Sequence, residues 1–191
     1  YHGKKPKLKG ILMKILPDTN TAKVALEKGE IDVSGLQPKD YKKLSKNKRL
    51  NLFQYDDLHY SYMGFNLKNE LFKNQKIRQA IAHAINKDAI VKGVLKGFGR
   101  PAPLPSSPVS WAYPPQEEVY RVGYQPEESK RILEEIGYQL NEKTKIYEKE
   151  GKALEFKLIT SKGSKTGEKT AQIIQRFLSQ VGIKLDIQLM E

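Results

Sequence analysis

One stretch of 44 residues constrains this chain more than any other: Tyr60 to Pro103, YSYMGFNLKNELFKNQKIRQAIAHAINKDAIVKGVLKGFGRPAP. Alternation over Tyr60 to Leu67 reads as a strand. Phe72 to Ile85 reads as a helix, because Ile77, Ala80, Ile81, Ala84 and Ile85 fall at i, i+3, i+4, i+7 and i+8 and form one apolar stripe. Asn86 is a capping residue for a second helix over Asp88 to Leu95, which Gly97 ends. Then comes a loop, Gly99 to Pro115, with six prolines in seventeen residues, a density that no regular element tolerates. A strand, two helices and a stiff loop in this order demand a layered α/β core.

The flanks repeat the mixture. Leu8 to Leu16 and Ile31 to Ser34 read as strands around a helix over Thr19 to Lys28, which is a βαβ unit with parallel strands. Pro38 to Leu44 reads as a short helix and Leu50 to Tyr55 as a further strand. Beyond the proline-rich loop, Gln125 to Ile136 is a helix with Pro126 in its first turn, and Glu127 and Glu128 lie at its positive end. Leu154 to Thr160 is a strand, Glu168 to Val181 a helix, and Lys184 to Met190 a final alternating strand. The 191 residues, 38% hydrophobic and 29% charged, can bury one full core. No run approaches the roughly 18 apolar residues of a membrane span. Tyr1 opens directly into HGKKPKLKG with no apolar segment, so no secretion signal is read here, and export stays open.

Catalytic signatures are missing from the sequence. It has no cysteine, which removes disulfides, thiolate nucleophiles and cysteine metal sites. His2, His59 and His83 have no metal-binding spacing, and the patterns of serine hydrolases and phosphate-binding loops are absent. The glycines at 93, 97 and 99 end a helix where a phosphate cradle would open one. Asp56-Asp57 and Glu117-Glu118 read as solvated turns. The net charge of +12 fits either a lysine-rich solvated face or a surface for nucleic acid or anionic lipid. The first fifty residues hold 13 Lys/Arg against 5 Asp/Glu. Those lysines are scattered and arginine is scarce, which speaks against nucleic acid.

The same stretch resembles the second-lobe segment of the family 5 extracellular solute-binding proteins, the oligopeptide-, dipeptide- and nickel-binding subunits of bacterial ABC importers. The resemblance extends to ALEKGEIDV, with its GEID turn, and to YQPEESKRILEEIGY, GKALEFKLIT and QIIQRFLSQVGIKLDIQLME. Ala84-Ile85-Asn86-Lys87 stands where the family usually has AIDR or AIDK. The resemblance implies an α/β, type II periplasmic-binding-protein-like lobe: a mixed sheet flanked by helices, one domain over 1–191, with 1–16 and 184–191 as hinge-crossing strands to a first lobe. It further implies a small solute, most simply an oligopeptide, with a metal chelate or other non-peptide solute as the alternative. It implies a membrane permease as partner, no cofactor, no catalysis, and a place in the periplasm or lipid-anchored on the outer membrane face.

The aromatic residues are the candidate binding groups. SPVSWAYPP resembles the family's cleft-lining loop and puts Trp111 and Tyr113 on a stiff support. Such rings offer a large platform at low entropic cost. The alternative is a tryptophan that pins the loop to its own core. Tyr60 and Tyr62 share one strand face, which is a binding face or a core face. Asn66 is placed to bond a peptide backbone or to form a turn. Family resemblance also suggests a carboxylate near the loop for a ligand amino group, and Glu117 or Glu118 is nearest. Arg78 is expected to form a structural ion pair.

Overall fold

Capping chemistry sets where the helices begin and end. In a computed structural model, which describes residues 3–116, 119 and 121–191, five of the seven helices among the described residues start on a short polar side chain that accepts an amide proton from the first turn: Asp18 for α1 (Thr19–Lys28), Asn69 for α3 (Glu70–Lys73), Asn74 for α4 (Gln75–Ala84), Asn86 for α5 (Lys87–Val94) and Ser164 for α7 (Lys165–Gln180).

 Four of these five are full helices, and α3 is a single turn. The helices without a capping side chain, α2 (Pro38–Leu44) and α6 (Pro126–Glu135), begin instead on a proline, whose missing N–H costs nothing there. The chain clusters into two compact units, Tyr1–Phe53 and Gln54–Glu191.

In the first unit α1 ends on Gly29, whose φ of 77° is the left-handed conformation that a helix stop requires. Ala25, Leu26 and Leu44 are buried, and the half-buried Lys23–Asp40 pair joins α1 to α2 at 3.1 Å. Gln37 reinforces the junction by donating to Thr19 Oγ1 at 2.7 Å. The expected strands at Leu8–Leu16 and Ile31–Ser34 are not formed, and with them goes the parallel βαβ unit. Their apolar residues have no ladder partner among the described residues, and Ile11, Leu12, Met13 and Ile15 are 81–100% exposed. Strand propensity without a neighbouring strand leaves the backbone groups to water.

The second unit holds the main core. Parallel strands β4 (Glu155–Ser161) and β5 (Lys184–Met190) pair from Glu155↔Lys184 to Ser161↔Met190, with α7 as the connection between them. A small antiparallel meander, β1 (Gln139–Leu140), β2 (Tyr147–Lys149) and β3 (Lys152–Ala153), lies just before β4 in sequence. The predicted α4 stripe is the centre of the packing: Ala80, Ile81 and Ala84 are fully buried with Leu133 of α6 and Leu178 of α7. Phe72 stands edge-on to Phe156 of β4 and tilted against Phe65, each at 5.2 Å between ring centres.

Three expectations change here. The helix expected over Phe72 to Ile85 is two, because Asn74 leaves helical geometry (ψ 113°) and caps α4. Leu50–Tyr55 and Tyr60–Leu67 form no strand, although Met63 and Phe65 still alternate with exposed neighbours and pack on the core. Of the two expected hinge-crossing segments, 184–191 is a strand over Lys184–Met190 and the described part of 1–16 is not.

Candidate functional site

The proline-rich loop is fixed at both ends and along its length. Gly97 and Gly99 open it at φ 85° and 150°, and a Cβ on Gly99 would come within 2.9 Å of Leu95 Cδ1. Arg100 forms an ion pair with Asp56. Ser107, which is buried, donates to the Asp57 carbonyl at 2.5 Å. Two successive turns, Ser110 N to Ser107 O at 2.9 Å and Tyr113 N to Ser110 O at 3.1 Å, then carry the chain past Trp111 to Tyr113. Asp56-Asp57 is therefore an anchor for the loop, beyond a solvated turn. His59 donates its N–H to Asp57 Oδ1 at 2.9 Å, and this bond, with the imidazole beside the other oxygen, holds the Asp57 carboxyl below the usual range.

Under this loop lies a cleft of about 510 Å³. Pro101, Pro103, Pro108, Tyr113 and Ile85 give it apolar wall, while Lys87, Asp88, Arg100, Gln116 and Arg121 add polar groups. The segment that closes it, 121–125, is tied to α4: Gln125 N donates to the His83 carbonyl at 2.9 Å, and His83 Nδ1 lies 3.2 Å from the Gly123 carbonyl oxygen. Tyr124, on the same segment, contacts Phe177 of α7 at 5.5 Å. His83 thus ties α4 to the segment that closes the cleft.

The candidate residues fall into separate places. Tyr113 lines the cleft. Trp111 is 97% exposed and does not pin the loop to the core, which removes the alternative reading of its ring. Tyr60 and Tyr62 do share a face, with ring centres 5.7 Å apart, and both are exposed. Asn66 forms a turn, accepting from Lys68 N at 3.1 Å through its side-chain oxygen and from Asn69 N at 3.0 Å through its carbonyl. Glu117 and Glu118 lie outside the described residues. Arg78 caps α3, donating to the Phe72 carbonyl at 2.5 Å and the Lys73 carbonyl at 3.2 Å, where an ion pair was expected. Sequence reasoning missed Lys87, Arg100 and Arg121 as cleft residues. The available signal was a lysine at the start of α5, where the helix dipole disfavours a cation.

Comparison with known proteins gives a consistent picture. The sequence profile described as "Bacterial extracellular solute-binding proteins, family 5 Middle" matches residues 1–191. The oligopeptide-binding protein AppA of Bacillus subtilis is 36% identical over 191 residues, covering 100% of this chain and 35% of AppA. Its structure in complex with a nonapeptide superimposes with a TM-score of 0.81 at 37% identity, over 93% of this chain and 35% of that one. The dipeptide-binding protein of Escherichia coli is 32% identical over 136 residues, 71% of this chain and 25% of that protein. NikA from Brucella suis in complex with Fe(III)-EDTA superimposes with a TM-score of 0.84 at 28% identity, over 100% of this chain and 39% of that one. The chain spans about a third or less of the curated relatives described here.

Proposed function

Because this chain belongs to the bacterial extracellular solute-binding proteins of family 5, we propose that it is the second lobe of the substrate-binding component of an ABC importer. In this reading its two units together make one lobe, and residues 1–16 and 184–191 run to a first lobe. A small solute, most simply an oligopeptide, lies between the lobes, and hinge closure presents the loaded form to a membrane permease. The parent protein works in the periplasm or on the outer membrane face, held there by a lipid. No helix among the described residues is long and apolar enough to cross a membrane. Binding, with no bond made or broken, is the whole of its chemistry.

The observation that carries this reading is the stiff proline-walled cleft with Tyr113 in it and Trp111 exposed on the same loop. Peptides offer backbone donors and acceptors plus varied side chains, so their receptor needs adaptable polar groups and flat apolar platforms. Prolines hold such platforms with little entropy left to lose on binding. A metal chelate is the second reading, and the likeness to NikA supports it. The nucleic-acid reading has only the +12 charge in its favour.

Trp111 is the one tryptophan of the chain, which makes the test direct. Titration with a pool of short peptides is expected to shift its emission to the blue and protect it from iodide quenching. Unchanged emission, with calorimetry showing peptide binding elsewhere, overturns the assignment of the loop.

A further inference from the structure

The cleft under the proline-rich loop carries an uneven charge. Lys87 is half-buried in the first turn of α5, at a helix end that is itself partly positive. Its ammonium has no ion-pair or hydrogen-bond partner among the described residues. Among the described residues Arg121 donates to the side-chain oxygen of Gln116, a neutral acceptor, and has no carboxylate partner. Arg100 is answered by Asp56. Asp88, exposed, is the one carboxylate among the described residues that line the cleft, against the three cations. Proline and tyrosine side chains wall part of the space, and field lines between low-dielectric walls are concentrated there.

We propose that this cleft is an anion-selective pocket that prefers solutes bearing a carboxylate, with Lys87 and Arg121 as the two groups that receive it. The proposal rests on the reading of the loop as the solute-binding face and adds a substrate class to it. A carboxylate matches both partners: Arg121 offers a planar fork for two parallel bonds, and Lys87 a compact charge that adapts its position. It also relieves the placement of a cation at the start of α5. An acidic peptide side chain or a small carboxylic acid meets the requirement, and a neutral isostere does not.

The test uses the 191-residue chain and two capped peptides, Ac-Ala-Ala-Glu-Ala-NH2 and Ac-Ala-Ala-Gln-Ala-NH2, which differ by one charge and have no free termini. Affinities come from calorimetry or amide chemical shifts at pH 7. The expected result is at least tenfold tighter binding of the Glu peptide. K87Q and R121Q each bring the ratio close to one by weakening the Glu peptide, and K87R keeps most of the preference. K143Q, which removes an exposed lysine outside the cleft, leaves the ratio intact. Equal binding of the two peptides overturns the anion preference alone and leaves solute binding standing. A preference that K143Q reduces as much as K87Q overturns it too, because net charge then explains the effect. Binding of neither peptide overturns both this inference and the reading on which it rests.

Discussion

Tyr147 shows how single residues tie the second unit together. Only 2% of it is exposed, and its hydroxyl donates to Glu134 Oε1 at 2.8 Å. Burial first, then the accepting Glu134 carboxylate, pushes the phenol's pKa up from its ordinary value of 10.0. The folded state therefore holds this proton more tightly than the unfolded chain does. The resulting stability is whole below about pH 10 and is lost as pH rises, because the unfolded phenol ionises first. Y147F is expected to lose about 1 kcal/mol at pH 7. The gap between wild type and variant narrows above pH 10 in urea denaturation, and a gap independent of pH contradicts the account. Gly182 is a second such point. Its φ is 75°, and a Cβ would meet Tyr147 Cδ2 at 2.9 Å and Leu140 Cδ1 at 3.1 Å. G182A is expected to cost at least about 1–2 kcal/mol from backbone strain alone, read from the shift in thermal midpoint.

At the scale of elements, the helices were legible in the sequence and most of the early strands were not. A helix satisfies its own backbone, so a cap, an apolar stripe and a stop define it locally. Asn86 accepts from Ala89 N at 2.8 Å, as its position before α5 suggested, and N86A is expected to cost about 1 kcal/mol. Ile81 is fully buried on the expected α4 stripe, and I81A is expected to cost about 2–5 kcal/mol, measurable as a lower denaturant midpoint at unchanged slope. A strand needs a partner that its own residues do not name. β4 and β5 are found where alternation put them because each supplies the other's ladder. Leu8–Leu16 has the same kind of residues and no ladder. The site divides in the same way. The stiffness of the proline-rich loop follows from local composition, whereas the exposure of Trp111, which the sequence left open, is seen only in the fold. The entry of Lys87, Arg100 and Arg121 into one cleft depends on how the loop and segment 121–125 fold back over α5, which spacing along the chain does not encode.

For the whole molecule, the cluster of buried residues that runs from Phe72 to Leu185 belongs entirely to the second unit. A chain of residues 54–191 is thus expected to unfold cooperatively by itself, with its helical circular dichroism intact. A gradual, non-cooperative transition contradicts that assignment of the core. The central claim is that the face under the proline-rich loop receives a small solute. The most direct measurement is an amide chemical-shift map of the 15N-labelled chain titrated with short peptides. The account predicts saturable shifts concentrated on residues 99–116 and 121–125 and on the Trp111 indole N–H. Silence there, with a DNA duplex instead shifting the lysine-rich residues 4–49 in a salt-dependent way, contradicts it.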